Sequence, residues 1–208
     1  MKKAILISIV FLFSATIAGA APVTLDFDDL TGGDDIINTF YQDVFFSNPD
    51  STATNITVFV GNDFGAGSAS APNSISGDRG AVGMGTIKVL FPNLTDFVGV
   101  TGGDVGGDYD SFSLELYDSW DNLLLSSATG VFGGNASKTD GTYGDVAQLI
   151  LSTGSFNIQY ALLLPTSASG AGITWDDLQY NKVPEPSTLL LLGTGLIGLA
   201  GFRRKFRS

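Results

Sequence analysis

The sequence predicts an all-β domain that folds as a two-sheet antiparallel sandwich. Short apolar or alternating runs recur through the body of the chain, and clusters of Gly, Asp, Asn and Ser separate them. This is the pattern of strands joined by turns. The body shows no sustained helical period. Because strands do not alternate with helices, two antiparallel sheets are expected instead of a parallel one.

Ten runs are predicted to form strands. The clearest is 111–117, where Phe112, Leu114 and Leu116 alternate with Ser113, Glu115 and Tyr117, as in a strand with one face in water. The predicted strands are 23–27, 44–46, 56–60, 86–91, 97–100, 111–117, 123–126, 147–151, 156–164 and 173–180.

The N-terminus has the features of a secretory signal peptide. Two lysines precede an apolar run, residues 4–13, and Ala18 and Ala20 form an A-x-A cleavage pattern. We therefore predict a signal peptide over residues 1–20. The body, residues 21–182, is long enough to form one domain with a sizeable core.

The C-terminus begins with a segment that cannot be helical. Pro184 and Pro186 flank Glu185, and each proline fixes its own φ and restricts the residue before it. An uncharged apolar run follows, and we predict a transmembrane helix over residues 188–202. Its helical length of about 22 Å is marginal against a hydrocarbon core of about 30 Å. Snorkelling basic residues and local bilayer thinning can close that gap.

A basic cluster ends the chain. Arg203, Arg204 and Lys205 follow the apolar run directly, and by the positive-inside bias they stop transfer and stay in the cytoplasm. The order of proline box, apolar run and basic cluster resembles the PEP-CTERM sorting signal of Gram-negative bacteria. The tail, residues 183–208, is also similar to the C-terminal segment known from ice-binding proteins. An ordinary C-terminal transmembrane anchor is the alternative interpretation.

The resemblance implies a route and a partner. An exosortase, a membrane peptidase, is expected to cut near the proline box after transient anchoring in the inner membrane. The product is then expected at the cell surface or outside a Gram-negative cell, in an exopolysaccharide-rich layer.

The body is strongly acidic. Residues 21–183 hold 20 of the 21 acidic residues and four of the ten basic ones, so four positive charges against 20 negative leave −16. Nucleic acid and anionic lipid are therefore poor partners. Like charge at this density repels itself in the folded state unless cations offset it, so an environment containing calcium is expected.

The composition excludes most catalytic chemistry. The chain has no His and no Cys, so it can form neither a Ser-His-Asp triad nor a thiolate nucleophile, and it offers no soft ligand for zinc or copper. Carboxylates remain as an acid and base pair for glycoside hydrolysis, with Glu115 among the candidates. We predict that the protein is not an enzyme, with a glycoside hydrolase as the less favoured alternative.

Two acidic pairs are candidate metal ligands. Asp28 and Asp29 lie near the start of the body, and Asp176 and Asp177 lie near its end. Because terminal strands of a sandwich often pair, the four carboxylates are expected to converge around Ca²⁺, which prefers oxygen ligands. In the alternative interpretation, one Asp of each pair faces solvent and the other closes a turn.

Short segments at both ends of the body support the fold. Four short segments resemble landmarks of jelly-roll domains in exosortase-dependent surface proteins. They are Leu25–Leu30 (LDFDDL), Tyr41 ahead of 44–48 (VFFSN), Ala71–Ser74 (APNS) and Ile173–Leu178 (ITWDDL). They are also similar to galactose-binding-like sandwiches and carbohydrate-binding modules. The resemblance implies a two-sheet antiparallel jelly-roll sandwich.

Several aromatic residues are candidates for stacking on sugars. Trp120, Tyr117, Tyr109 and Tyr143 lie in or beside Gly/Asp-rich segments, whereas Trp175 in an apolar run is predicted to be core. Ice binding is disfavoured because the threonines are too few and too irregular for a flat face. The expected role is therefore structural or adhesive at an exopolysaccharide or cell-surface glycan. A carbohydrate-binding module with a defined glycan ligand is the alternative.

Overall fold

Two antiparallel β-sheets enclose a shared hydrophobic core. The computed structural model describes residues 22–49, 55–60, 73–78, 85–104, 109–133, 146–166 and 173–182, which all belong to a unit spanning Pro22–Val183. In these ranges no helix is long and apolar enough to cross a membrane. The predicted signal peptide and transmembrane segment lie outside the described residues.

The described residues form strands and contain no helix. The strands are β1 Pro22–Leu25, β2 Thr39–Tyr41, β3 Val44–Ser47, β4 Asn55–Val60, β5 Asn73–Asp78, β6 Ile87–Thr95, β7 Phe97–Asp104, β8 Tyr109–Asp110, β9 Phe112–Tyr117, β10 Leu123–Ala128, β11 Phe132–Gly133, β12 Val146–Ser152, β13 Ile158–Pro165 and β14 Ile173–Asn181.

The strands divide into two large sheets and one small one. The first sheet has the order β12-β7-β14-β5-β4, with β1 also paired to β14, and the second has the order β10-β9-β13-β6-β3-β2. Strands β8 and β11 form a separate pair. The chain crosses between the large sheets, for example from β6 to β7 and from β13 to β14. The all-β, two-sheet antiparallel prediction is confirmed.

All ten predicted strands are present, with ends shifted by a few residues, and four further strands were not predicted. Strands β2, β8 and β11 have only two or three residues, so they show no period. Strand β5 is polar (NSISGD), yet its residues 73–77 are buried because it lies inside the first sheet between β4 and β14. Its position in the sheet, and not an apolar pattern of its own, therefore makes it a strand.

Aromatic contacts join the two sheets. Phe112 of β9 packs edge-on against Trp175 of β14, with ring centroids 4.9 Å apart and an interplanar angle of 76°. Both side chains are fully buried, which confirms Trp175 as a core residue. Phe91 of β6 contacts Tyr180 of β14 in a tilted arrangement, with ring centroids 5.4 Å apart and an interplanar angle of 41°. The core therefore rests on cross-sheet ring packing, since the chain has no disulfide.

A glycine makes this contact possible. Gly102 on β7 pairs with Trp175 in the first sheet, and a Cβ added there would lie 2.5 Å from Cε1 of Phe112. No side chain fits in that space, so the Phe112 ring lies directly over the backbone of the opposite sheet.

We predict that Gly102→Ala destabilises the domain by about 1–3 kcal/mol, because the added methyl group forces Phe112 out of its position. Gly130→Ala is the matched control, since a Cβ at Gly130 meets nothing within 4 Å, and it should change the free energy of unfolding by less than about 0.5 kcal/mol. Urea denaturation measures both variants. Equal effects from the two substitutions would contradict this account of Gly102.

Candidate functional site

The loop between β9 and β10 holds an exposed tryptophan. Oδ1 of Asp118 accepts hydrogen bonds from the backbone N–H groups of Trp120 (2.8 Å) and Asn122 (2.9 Å), and Oδ2 accepts one from the Asn122 side chain at 2.9 Å. Asp121 takes a positive φ of 62° to complete the turn. The Asp118 carboxylate thus holds the loop together through these bonds, and the Trp120 side chain is 82% exposed.

Two tyrosines stack next to this loop. Tyr117 of β9 lies opposite Tyr160 of β13 in the strand register, and their rings are nearly parallel, with centroids 4.8 Å apart and an interplanar angle of 6°. The Tyr160 hydroxyl donates a hydrogen bond to Oδ1 of Asp121 at 3.1 Å. The stack is therefore tied to the loop that carries Trp120. We call Trp120, Tyr117 and Tyr160 the aromatic cluster.

Charged groups flank the aromatic cluster on both sides. Nζ of Lys88 lies 3.6 Å from the Tyr160 ring centroid, a cation–π contact. Glu115 accepts a hydrogen bond from the Tyr117 hydroxyl at 2.6 Å. Because β6 and β9 lie on opposite sides of β13, Lys88 and Tyr117 approach the Tyr160 ring from opposite directions.

The cluster faces away from the core. Along β9 burial alternates, and Phe112, Leu114 and Leu116 point inward, so Glu115 and Tyr117 occupy the outer face of the second sheet. This confirms the predicted alternation of that strand.

Hydrogen bonds and burial raise the pKa of both phenols. The bond to Glu115, with burial second, raises the pKa of Tyr117 to about 12. Burial, followed by the bond to Asp121, raises the pKa of Tyr160 to about 12. In the loop, the side-chain bond from Asn122 is the largest cause of a lowered pKa for Asp118. Both hydroxyls therefore keep their protons to a higher pH than an unperturbed tyrosine does.

The arrangement suits a sugar or another ring with both apolar and polar edges. The indole of Trp120 offers an exposed aromatic face for stacking. Glu115, Asp121 and Lys88 contact the stacked tyrosines, so two acceptors and a donor lie on the same surface, as the few fixed polar groups of a ligand site do.

Sequence reasoning found part of this surface. Trp120 and Tyr117 belong to it as predicted, whereas Tyr109, although 66% exposed, lies in β8 of the small sheet, and Tyr143 lies outside the described residues. Tyr160 was missed because it sits in the apolar run of β13, where only the cross-strand register assigns it to the outer face.

The first acidic pair belongs to a turn near the start of the body. Oδ1 of Asp28 accepts a hydrogen bond from the Asn73 backbone at 3.0 Å. Asp29 accepts a short hydrogen bond from the Tyr41 hydroxyl, and burial, followed by this bond, raises the pKa of Tyr41. The Asn73 side-chain amide donates to the carbonyl oxygens of Phe27 and Leu30 at 3.2 and 2.8 Å. These bonds fix the turn after β1.

The second acidic pair lies at an irregularity in β14. The register between β7 and β14 shifts after Asp176, and Asp177 has a positive φ of 46°. Asp176 is buried, and its Oδ1 accepts a hydrogen bond from the backbone N–H of Asp177 at 2.7 Å. The pair therefore shapes the strand's own backbone.

The predicted pairing of the terminal strands is confirmed, since Leu25 of β1 lies opposite Leu178 of β14. The expected convergence of Asp28, Asp29, Asp176 and Asp177 is not observed. In the part of the chain that the structure describes, no three acidic side chains form a group able to hold a metal ion. The physical reason is that protein donors already engage these carboxylates at separate places. Calcium binding stays a prediction.

The junction with the tail is tied to a hairpin. Gln42 and Asp43 form the two-residue turn between β2 and β3, both with positive φ. The Tyr180 hydroxyl donates to the Gln42 carbonyl oxygen at 2.9 Å, and Lys182 Nζ contacts Oδ2 of Asp43 at 2.6 Å. The last described residues of the body are thereby held in place.

Comparison with protein families identifies the tail. Residues 182–205 match the family described as the PEP-CTERM protein-sorting motif. The predicted processing residues Pro184, Glu185 and Pro186 and the basic residues Arg203, Arg204 and Lys205 fall within this match. Like the predicted cleavage residues Ala18 and Ala20, they lie outside the described residues. No curated protein matches the chain significantly.

Solved structures share the fold of the body. The K1 cleaved adhesin domain of Lys-gingipain from Porphyromonas gingivalis W83 is similar with a TM-score of 0.52 and 12% identity, over 79% of this chain and 99% of that domain. The K2 cleaved adhesin domain of Lys-gingipain gives a TM-score of 0.51 and 12% identity, over 78% of this chain and 99% of that domain. At such low identity the likeness shows the fold alone.

We predict that the free energy of unfolding falls in alkaline solution because of Tyr117 and Tyr160 in the aromatic cluster. The folded state keeps the protons of Tyr117 and Tyr160 up to a pKa of about 12, whereas unfolded tyrosine loses its proton near pH 10. The stabilisation is therefore present below about pH 10 and is lost as the pH rises toward about 12. Ultraviolet titration of tyrosinate, combined with urea denaturation, measures both effects.

Glu115→Gln should move the ionisation of Tyr117 back toward pH 10, because it removes the charged acceptor that is the first cause of the shift. Asp34→Asn, a change at an exposed acid of another loop, should leave the tyrosine titration as it is. The account of the cluster fails if Glu115→Gln and wild type titrate alike.

Proposed function

We propose that this protein is a non-enzymatic cell-surface or extracellular-matrix protein that an exosortase processes at its sorting motif. The observation that carries the proposal is the PEP-CTERM motif at residues 182–205, which implies export and a membrane-anchored sorting signal. In this proposal the peptidase cuts near Pro184–Pro186, and the body is delivered to the exopolysaccharide-rich layer of a Gram-negative cell.

The role of the body in this proposal is structural or adhesive. The chain contains no His and no Cys, which supports this role. Further support is that Asp28 and Asp176, one from each acidic pair, accept hydrogen bonds from backbone N–H groups. Glu115, the body's single Glu, accepts a hydrogen bond from the Tyr117 hydroxyl. In this proposal the body supplies a stable surface.

The second candidate function is binding of a defined glycan, and the aromatic cluster favours it. The indole of Trp120 is 82% exposed, so its face is open for stacking on a sugar ring. The bonds to Asp118 fix the backbone of the loop that carries Trp120, which lowers the entropic cost of ordering the loop when a ligand binds.

We predict that changing Pro184, Glu185 and Pro186 together to Ala leaves export intact but blocks processing. The uncut chain should stay in the inner membrane of a host that contains an exosortase. Mass spectrometry of the C-terminus and membrane fractionation measure this. Trp120→Ala is the control and should be cut like wild type. Normal cleavage of the triple variant would remove the sorting proposal.

We predict that Trp120→Ala lowers affinity for any bound polysaccharide by about fivefold or more, because a central aromatic contact contributes above about 1 kcal/mol. A glycan array followed by calorimetry on the hits measures it. Tyr109→Ala is the matched control, an exposed aromatic outside the cluster, and should bind normally. Equal losses in both variants, or no glycan bound by wild type, would exclude this surface as a glycan site. Release of reducing sugar from the bound glycans would instead indicate a hydrolase.

A further inference from the structure

The edge strands of the two large sheets differ in how their free backbone groups are protected. The first sheet ends at β4 and β12, and the second ends at β2 and β10. A free edge exposes unpaired N–H and C=O groups that can pair with another chain. Proteins therefore shorten, bend, charge or cover such edges.

Among the described strands, three of these four edges are protected. Along β4, the backbone N–H of Ile36 donates to the Ile56 carbonyl oxygen at 2.9 Å, and Oδ1 of Asp35 accepts a hydrogen bond from the Ile56 N–H at 3.1 Å. Strand β2 has only three residues. The register of β10 with β9 shifts between Leu123 and Leu125, and such a bulge bends the edge.

Strand β12 lacks these forms of protection in the part of the chain that the structure describes. It pairs with β7 over seven residues without a register shift, from Val146 opposite Gly103 to Ser152 opposite Phe97. It contains no charged residue and no proline. Its single partner among the described strands is β7. Every second residue of β12 therefore directs its backbone N–H and C=O groups toward the free edge.

Apolar side chains lie on both faces of this strand. Val146 and Ile150 are 48% and 52% exposed, and they lie on the outer face of the first sheet. Ile150 is opposite Gly99, which has no side chain to cover it. On the inner face, Leu149 and Leu151 pack against the core. An open edge thus coincides with exposed apolar area.

We propose that β12 pairs with β12 of a second copy of this chain, antiparallel across a two-fold axis, to form a closed dimer with one continuous sheet. Charge favours a second copy as the occupant. Residues 146–175 contain no charged residue, so two bodies with a net charge of −16 meet there with the least repulsion. A basic partner, which the rest of the body would attract, finds no opposite charge on this strand.

The sequence of β12 also fits itself in this arrangement. With the axis at Leu149, Ala147 lies opposite Leu151 on the inner side, and Gln148 lies opposite Ile150 on the outer side. The inner pairs extend the apolar layer of the core into the second copy. Because the same edge is used by both copies, assembly stops at two. The dimer does not depend on the sorting or glycan proposals.

The first test measures the mass of the full chain in detergent by sedimentation velocity, over about a hundredfold range of protein concentration. Wild type should change from monomer to dimer as the concentration rises. Ile150→Lys should weaken the dimer by about tenfold or more, because the two-fold axis brings the new charge into the contact twice. Phe40→Lys is the matched control, since Phe40 is 64% exposed on the three-residue edge strand β2, and it should dimerise like wild type.

The second test locates the contact without any variant. Hydrogen exchange read by mass spectrometry should show that edge-facing amides of residues 146–152 exchange about tenfold or more slowly in the dimer than in the monomer. The amides of β2 should exchange at the same rate in both states.

A wild type that stays monomeric at every concentration would overturn the proposal. So would a dimer that persists unchanged in Ile150→Lys, or one whose β12 amides exchange as in the monomer, since the association would then lie in another part of the chain. Equal loss of the dimer in both lysine variants would also contradict the assignment to β12.

Discussion

The contact between Phe112 and Trp175 joins the two sheets, and the rest of the structure depends on the close approach that it requires. The Phe112 ring fills the space that a side chain at Gly102 would otherwise occupy. Both rings are fully buried, so each removes a large apolar area from water. In a chain without disulfides, this inter-sheet burial must hold the fold together.

Electrostatics imposes the second constraint. A body with a net charge of −16 gains little from ion pairs, because it contains so few basic residues. The structure instead uses acidic side chains as acceptors for backbone and hydroxyl donors. Asp118 closes the β9–β10 loop, Asp28 fixes the turn after β1, and Asp176 bonds to the next residue of its own strand. Asp110 has no such donor, and this sets it apart from the other buried acids.

Acidic side chains also act as hydrogen-bond acceptors in the candidate site. Asp118 and Asp121 fold the loop and tie it to Tyr160, while Glu115 holds Tyr117. The two tyrosine side chains are therefore fixed by hydrogen bonds at their hydroxyls, and the exposed indole is carried by a loop whose backbone is hydrogen-bonded to Asp118. The sorting motif and the candidate aromatic surface are thus separate in the chain: the motif occupies residues 182–205, and the aromatic cluster belongs to the outer face of the second sheet and its β9–β10 loop.

The sequence by itself determined the fold class, the ten principal strands and the sorting motif, because apolar alternation and the order of proline, apolar and basic residues are local patterns. It also identified Trp120 as a candidate, since an aromatic residue in a polar turn is visible without coordinates.

Only the tertiary structure decided the rest. The polar strand β5 forms because β4 and β14 flank it, and Tyr160 joins Tyr117 because β13 and β9 align in that register. The four aspartates do not converge, although β1 and β14 pair as expected, since a bulge and a turn direct their carboxylates to separate donors. Each of these features depends on contacts between residues that are distant in sequence, so no local sequence pattern predicts it.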